Sequence, residues 1–233
     1  MHVWVAPLDV PLGRYGWLVA SLSATERARA ERYRFPRHAR RFSAGRGWLR
    51  HVLGAELGVP AAAVRLGENG AKPHLLDDPG LHFNMSHAAE LAVIAVASRP
   101  VGIDVEPVAH MRFDPGLVGL ACTSAEAEEL DRLPVEEQAV GFLRIWTAKE
   151  AYLKATGAGL SVPPSSVHVG SNRPAAGVAV QAAGDPGAAR WWVRDLEPAD
   201  GYIGAVATEG PGWEVVVHST AVLTLEGSAE EGG

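Results

Sequence analysis

The feature that most constrains the fold of this chain is a strand-turn-strand pattern that occurs twice. The first copy starts near Asn84 and ends in the apolar run Leu91–Ala97, and the second starts near Arg194 and ends in Tyr202–Ala207. Helical patterns precede each copy, so the chain alternates helices and strands. We therefore predict an α+β fold made of two related halves that meet near residue 104.

The apolar periodicity and the capping residues predict individual elements. The predicted helices are one capped by Ser23 or Thr25 and running to about Tyr33, then Arg37–Leu57, Glu126–Arg132 and Glu136–Thr156. The predicted strands are Val3–Leu8, His82–Ser86, Leu91–Ala97, Val101–Glu106, Arg190–Glu197, Tyr202–Thr208 and Trp213–His218. Ser98-Arg99-Pro100 predicts a hairpin between the third and fourth of these strands.

These elements suggest a division of the chain into residues 1–103, residues 104–226 and a disordered tail, 227–233. Residues 170–189 are rich in Gly, Ala and Pro and are predicted to be loop. Of the 233 residues, 47% are hydrophobic, which is enough for a sizeable core. The single cysteine excludes an internal disulfide framework.

No segment of the sequence has the pattern of a membrane anchor or a secretion signal. The longest apolar run, Leu91–Ala97, is too short to cross a bilayer. The N-terminal residues lack the basic-then-apolar order of a signal peptide. We therefore expect a soluble cytoplasmic protein.

The charge is distributed unevenly along the chain. Residues 1–103 carry 13 Lys+Arg against 8 Asp+Glu, whereas residues 104–233 carry 8 against 19. Nine arginines lie between Arg27 and Arg50. A basic segment on a protein with a net charge of −6 favours a localised anionic partner over general binding to nucleic acid. The alternative is a solvated helix face.

Two acidic residues stand at alternate positions in the run Val101–Glu106. Side chains alternate between the faces of a strand, so Asp104 and Glu106 share one face and Ile103 the other. Adjacent carboxylates in a half-buried strand repel each other unless a cation joins them, and Mg²⁺ prefers such oxygen ligands. The alternative is an exposed strand face with two unrelated acids.

The predicted helix Glu136–Thr156 carries a second candidate group. Trp146, Glu150 and Lys154 follow each other at intervals of four residues and therefore share one face. Glu150 and Lys154 could also form an ordinary helix-stabilising ion pair. The chain has only three lysines, of which Lys149 and Lys154 lie in this helix.

Polar residues at the end of the predicted strand His82–Ser86 form a third candidate group. Ser86 and His87 are adjacent and point apart, and no Gly-x-Ser-x-Gly turn surrounds the serine, so the pair is not that of a hydrolase. At a strand end both side chains could donate hydrogen bonds to phosphate oxygens. The alternative is a capping serine beside a surface histidine.

Taken in order, three motifs resemble those of the 4′-phosphopantetheinyl transferases of the surfactin-synthetase type. They are Asn84-x-Ser86-His87, Gly102-Ile103-Asp104-Val105-Glu106 and Trp146-x-x-Lys149-Glu150-Ala151-x-x-Lys154, with further similarity at Arg40-Arg41-Phe42-x-x-Gly45 and Lys72-Pro73. The resemblance covers residues 25–160. It implies an α+β fold of two pseudo-symmetric halves with the active site between them, in a monomeric protein.

The resemblance also implies roles for individual residues. The expected ligands of Mg²⁺, for which Mn²⁺ is an alternative, are Asp104, Glu106 and Glu150. The expected catalytic residues are Glu150, Lys154 and Asp104. The residues expected to bind coenzyme A are Arg41, Lys72, Ser86, His87, Asp104 and Lys154. Whether Glu150 is the general base or only a ligand stays open, as does the choice among the N-terminal arginines.

The function that these motifs imply is transfer of the 4′-phosphopantetheine group from coenzyme A to a serine of an acyl or peptidyl carrier protein, releasing 3′,5′-ADP. Neither nucleic acid nor a membrane is an expected partner. Two alternatives remain at this point. One is a Mg²⁺-dependent nucleotide hydrolase, and the other is a degenerate homologue that binds coenzyme A or a carrier protein without transfer.

Overall fold

The computed structural model describes residues 1–69, 72–77, 80–110, 114–182 and 184–224, which form a mixed helix-and-sheet structure. The helices are α1 (Leu12–Ala20), α2 (Ala24–Glu31), α3 (Pro36–Leu57), α4 (Pro115–Ala121), α5 (Ser124–Asp131) and α6 (Val135–Thr156). The strands are β1 (His2–Pro7), β2 (Leu66–Asn69), β3 (Lys72–Leu75), β4 (His82–Ala88), β5 (Leu91–Ala97), β6 (Val101–Pro107), β7 (Val167–His168), β8 (Val178–Ala179), β9 (Gln181–Ala182), β10 (Trp191–Leu196), β11 (Tyr202–Glu209) and β12 (Val216–Ser219). None of these helices has the length and apolarity that a membrane crossing requires.

Two four-stranded sheets form the centre of the structure. The first has the strand order β12-β1-β5-β4, and the second has the order β6-β11-β10-β8. Neighbouring strands are antiparallel except β1 and β12, which are parallel. Two-stranded ladders join β2 to β3 and β7 to β9.

The two sheets pack face to face, and each carries one of the long helices on its other side. Along β5, Ile94 faces the cluster under α3, whereas Val93 faces the cluster between the sheets. On β6, Ile103 also lies between the sheets. Burial on both sides explains why β5 is apolar at every position instead of alternating.

The structure confirms most of the predicted elements to within a few residues. Both long helices end at the expected glycines, Gly58 and Gly157, which have the left-handed φ angles of 67° and 71°. Ser23 rather than Thr25 caps α2. Helices α1 and α4 and strands β2, β3 and β7 were not predicted. Residues 170–189, predicted to be loop, contain β8 and β9, and the predicted strand Trp213–His218 is observed only as β12.

The hairpin predicted at Ser98-Arg99-Pro100 is wrong. Strands β5 and β6 belong to different sheets, and this turn carries the chain from one sheet to the other. Its local sequence has the features of a hairpin turn, but β6 forms its ladder with β11 instead. The Thr208 hydroxyl reinforces that pairing by donating to the Pro100 carbonyl at 2.7 Å.

The C-terminal part of the chain returns to the first sheet. Strand β12 pairs in parallel with β1, where the His218 ring stacks on Trp4 at 4.5 Å, and the Thr220 hydroxyl donates to the Val5 carbonyl. The segment 104–226 therefore contributes a strand to the sheet of the first half, and β6 runs across the expected division at residues 103 and 104. The predicted tail, 227–233, lies outside the described residues.

Each half contains its own buried ion pair, at equivalent positions that the sequence repeat did not reveal. Glu26 closes the capping box of α2 and accepts a hydrogen bond from Arg50 of α3 at 2.6 Å. Glu126 closes the capping box of α5 and accepts one from Lys149 of α6 at 2.5 Å. Helices α3 and α6 each have 22 residues, and the two cations occupy the same position relative to the helix start. This correspondence supports the pseudo-symmetry of the halves.

His51 is a half-buried histidine in α3 whose ring stacks on Trp17 at 3.5 Å. Its Nε2 atom is buried and has no hydrogen-bond partner among the described residues. Burial lowers the pKa of His51 to about 4 from its ordinary value of 6.5, although a hydrogen bond to the Trp17 backbone acts in the opposite direction. Between about pH 4 and pH 6.5 the His51 ring is therefore mostly neutral in the folded protein but protonated in the unfolded chain.

We expect acidification to destabilise the fold partly through His51. Between about pH 6.5 and pH 4 the unfolded state binds a proton that the folded state does not bind, so the free energy of unfolding falls as the pH falls. Because the ring is partly exposed, we expect a contribution of about 2 kcal/mol. Urea unfolding of wild type and His51→Phe at about pH 7 and pH 4.5 measures it. The two proteins would have to lose equal stability for this attribution to fail.

Candidate functional site

A buried acidic residue, Asp104 of β6, lies between the two halves. Its side chain is buried, and its Oδ1 atom accepts hydrogen bonds from the Ser86 hydroxyl at 2.8 Å and from the Lys154 ammonium at 2.6 Å. Its Oδ2 atom is also buried but has no hydrogen-bond partner among the described residues. A buried carboxylate oxygen without a hydrogen-bond partner is unsatisfied, and a further cationic or donor group would satisfy it.

Lys154 joins three elements at this point. Its ammonium donates to the Ser86 hydroxyl of β4 at 3.0 Å and to the Ile103 carbonyl of β6 at 3.3 Å, in addition to Asp104. Its position near the end of α6 places it over the face of β6 that carries Asp104. The structure therefore brings together three of the predicted site residues, Ser86, Asp104 and Lys154.

Glu106 and Glu150 add negative charge beside Asp104. Burial, followed by the charge of Asp104, raises the pKa of both carboxyl groups above the ordinary glutamate value. Lys154 opposes this rise at both, and the indole N–H of Trp146 also stabilises the charged form of Glu106. The mutual repulsion of the acids indicates a place that favours a cation.

The positions of the acidic side chains do not by themselves define a metal site. Among the described residues, no group of three or more His, Cys, Asp or Glu side chains is placed so that it could hold a metal ion. The assignment of Asp104, Glu106 and Glu150 as ligands therefore stays a prediction. The unpartnered Asp104 Oδ2 atom and the adjacent acids fit such a cation chemically.

A cleft with a volume of 670 Å³ opens beside this cluster. Both halves line it, with residues from α2, α3, β3, β4, β6 and the C-terminal end of α6. Of the predicted site residues, Arg41, Lys72, His87 and Lys154 line it. Ser86 and Asp104 are connected to it through Lys154.

Arg41 is held in a specific orientation at the edge of this cleft. Its guanidinium forms a two-point ion pair with Asp9 and donates to the Ala89 carbonyl at 2.6 Å, and Glu90 lies 3.9 Å away. The neighbouring Arg40 instead donates to the Val10 carbonyl. Of the two adjacent arginines, only Arg41 lines the cleft.

The structure shows which arginines of the basic segment line the cleft and which do not, a distinction that the sequence could not provide. Arg29 lines the cleft and lies 5.1 Å from the centre of the Phe42 ring, and Arg46 lies 5.5 Å from the same ring. Arg27 instead caps α1 by donating to the Leu22 and Ala20 carbonyls. Sequence analysis overlooked Arg46, although its place one helical turn after Phe42 is a usable signal.

Lys149 lies apart from the site despite its place in the motif. It is fully buried, and its ammonium donates to Glu126, to the Ala121 carbonyl at 2.7 Å and to the Pro164 carbonyl at 3.0 Å. Three strong contacts in the core of the second half anchor α6. The residue thus fixes the helix that carries Glu150 and Lys154.

Comparison with known proteins identifies the class to which this fold and site belong. The model of the 4′-phosphopantetheinyl transferase superfamily matches residues 100–207. A second model, described as the N-terminal part of a 4′-phosphopantetheinyl transferase, matches residues 13–99. The chain therefore belongs to the 4′-phosphopantetheinyl transferase superfamily.

Individual relatives agree with this assignment. The 4′-phosphopantetheinyl transferase HetI of Nostoc sp. is 40% identical over 223 residues, covering 92% of this chain and 90% of the relative. The 4′-phosphopantetheinyl transferase psf-1 of Bacillus pumilus is 35% identical over 146 residues, 62% of each chain. Sfp of Bacillus subtilis is 28% identical over 172 residues, 72% of this chain and 76% of the relative.

The family assignment settles the reaction. The chain transfers 4′-phosphopantetheine from coenzyme A, its substrate, to carrier proteins. The predicted α+β fold in two halves is confirmed. The alternative of a homologue that binds without transfer is not favoured.

Proposed function

We propose that transfer takes place at the junction of the two halves, in the cluster formed by Ser86, Asp104 and Lys154, with coenzyme A in the adjoining cleft. The observation that carries this proposal is that one ammonium, Lys154 Nζ, contacts both halves beside a buried carboxylate at the wall of the cleft. We also assign the chain to the surfactin-synthetase type, because its three motifs occur in the order and spacing of that type.

We assign Asp104, Glu106 and Glu150 as the residues that would hold Mg²⁺, with Mn²⁺ as the alternative. The unpartnered Asp104 oxygen and the raised pKa values of the two glutamates support this assignment. A divalent cation held there would neutralise the pyrophosphate of coenzyme A. Lys154 pairs with Asp104, and the charges of Lys154 and Lys72 favour the ionised form of Glu150.

The chain's own residues supply the remaining chemistry. The serine oxygen of the carrier protein forms a bond to the β-phosphorus, the bond from that phosphorus to the leaving oxygen breaks, and 3′,5′-ADP departs. The serine proton passes to Glu150, directly or through water, because a carboxylate placed at the site can act as a general base towards a hydroxyl group. Lys154 neutralises the charge that develops on the phosphates.

The cationic wall of the cleft suits the nucleotide of coenzyme A. Lys72 and His87 are exposed there, and each can donate to phosphate oxygens. Arg41 still has one N–H on each terminal nitrogen after bonding Asp9 and Ala89, so it can take a phosphate without losing its anchor. Arg29 joins this set because it lines the same wall.

The biological context that we propose follows from the chemistry and the composition. The acceptor is a serine of an acyl or peptidyl carrier protein, and neither nucleic acid nor a membrane takes part. The catalytic parts come from both halves of one chain, which supports a monomer. Coenzyme A and carrier proteins are cytoplasmic substrates, so we place the protein in the cytoplasm.

An assay with apo-carrier protein, coenzyme A and Mg²⁺, followed by intact-mass spectrometry, tests the proposed function. We expect the carrier to gain the mass of one phosphopantetheine group, and excess EDTA to prevent it. Turnover of coenzyme A without the carrier would instead favour a nucleotide hydrolase. Full transfer in EDTA would contradict the metal assignment.

Exchange of Lys154 for methionine separates its role in the rate from a role in binding. Met keeps the length of the side chain and removes its charge, so we expect kcat to fall about a hundredfold with KM for coenzyme A within about threefold. Lys72→Met is the matched comparison, in which KM rises and kcat holds. A normal kcat with a raised KM in Lys154→Met would show that Lys154 contributes to binding only.

A further inference from the structure

Asn84 belongs to a sequence motif at the site but has no part in the chemistry described above. It lies in β4 two residues before Ser86, so both side chains point to the same face of the strand. Its Oδ1 atom accepts a hydrogen bond from the Ile103 backbone N–H at 3.1 Å. The next residue of β6 is Asp104, which accepts from Ser86.

The Ile103 backbone needs such a partner because β6 is the edge strand of its sheet. Its N–H is bonded by Asn84 and its carbonyl by Lys154, so both groups point away from β11. Strands β4 and β6 belong to different sheets, and no backbone ladder joins them in the described parts of the chain. Side chains must therefore set the distance between the halves at this point.

We propose that Asn84 is a positioning residue that fixes the β6 backbone at Ile103, and thereby holds the Asp104 carboxylate in place for transfer. Two adjacent anchors, Asn84 on the backbone and Ser86 on the carboxylate, define both the position and the orientation of Asp104. Without Asn84, the hydrogen bond from Ser86 would be the one described here that links β4 to this part of β6. Displacements of about 1 Å at a reacting centre reduce rates by about a hundredfold.

The test compares two isosteric variants of Asn84. Asn84→Leu removes the acceptor, and Asn84→Asp keeps an oxygen at the same position. Because the inference rests on the proposed site, the readouts are Mn²⁺ binding by the free enzyme, followed by electron paramagnetic resonance, and the separate values of kcat and KM. For Asn84→Leu we expect about tenfold weaker Mn²⁺ binding and about thirtyfold lower kcat, with KM for coenzyme A within threefold.

The matched controls identify a merely structural effect. Thr208→Val removes a different hydrogen bond between a side chain and the backbone, the one that the Thr208 hydroxyl donates to the Pro100 carbonyl, without touching Asp104. It should lower the unfolding temperature about as much as Asn84→Leu but leave Mn²⁺ binding and kcat unchanged. Asn84→Asp should bind Mn²⁺ at least as tightly as wild type.

The outcomes separate this inference from the proposed function. If wild type neither binds Mn²⁺ nor transfers the phosphopantetheine group, both are overturned. If wild type does both, and Asn84→Leu keeps its Mn²⁺ affinity and its kcat, only the positioning role is overturned. Should Asn84→Leu not fold, loss of Mn²⁺ binding in a folded Asn84→Asp protein overturns it equally, because the oxygen acceptor is then not what matters.

Discussion

Replacing Asp104 by asparagine is expected to abolish transfer, with a loss of about a thousandfold or more in kcat. The variant keeps the shape of the side chain but removes the charge that pairs with Lys154 at 2.6 Å. It also removes the anionic character of the unpartnered Oδ2 atom. Intact-mass spectrometry of the carrier measures the loss, and circular dichroism checks the fold. For Glu106→Gln we expect a loss nearly as large.

Asp195→Asn provides the matched control for this variant. Asp195 pairs with a different cation, the buried Arg173, on β10 and away from the cleft. We expect that variant to lower stability and to keep its transfer rate. An Asp104→Asn enzyme retaining more than about a tenth of the wild-type kcat would remove Asp104 from the catalytic group.

Much of the candidate site was predictable from the sequence, because the alternation along β6 and the helical spacing along α6 determine which side chains share a face. Alternation along β6 was enough to place Asp104 and Ile103 on opposite faces, and the structure has Ile103 in the core between the sheets. Helical spacing was enough to place Glu150 and Lys154 on one face. The resemblance to a family then supplied the pairing of the two elements, which neither periodicity contains.

The contacts across the halves were not predictable in the same way. That Ser86 donates to Asp104, and that Asn84 binds the Ile103 backbone, depends on how β4 and β6 approach each other from different sheets. A local pattern describes the faces of one strand and not its neighbours. For the same reason the turn at Pro100 predicted a hairpin, although β6 pairs with β11.

The first helix was missed because its local signals are weak. Helix α1 contains Gly13 and Gly16, and its N-cap residue, Pro11, makes no side-chain cap. Tertiary packing maintains the helix instead, since Leu18 is fully buried against α3. The close approach depends on Gly47, where an added Cβ would lie 2.6 Å from Leu18 Cβ.

A similar close approach at Gly102 leads to the largest expected effect on stability. Gly102 lies on the face of β6 that packs against α6. A Cβ atom there would lie 2.0 Å from the Ala151 carbonyl oxygen and 2.4 Å from the Ala155 nitrogen. Both are backbone atoms of a regular helix, so no side-chain rotation relieves the clash. Gly102→Ala should therefore force α6 away from β6.

We expect Gly102→Ala to lower the free energy of unfolding by about 3 kcal/mol or more, at the upper end of overpacking costs. The folded fraction should also transfer slowly, because moving α6 separates Lys154 from Asp104. Urea unfolding and the transfer rate per folded molecule measure the two effects. Gly16→Ala is the control: its Cβ meets nothing within 4 Å, so it should stabilise the protein by about 0.5–1 kcal/mol. Wild-type stability and rate in Gly102→Ala would show that β6 and α6 accommodate the added Cβ atom without separating, and would contradict this prediction.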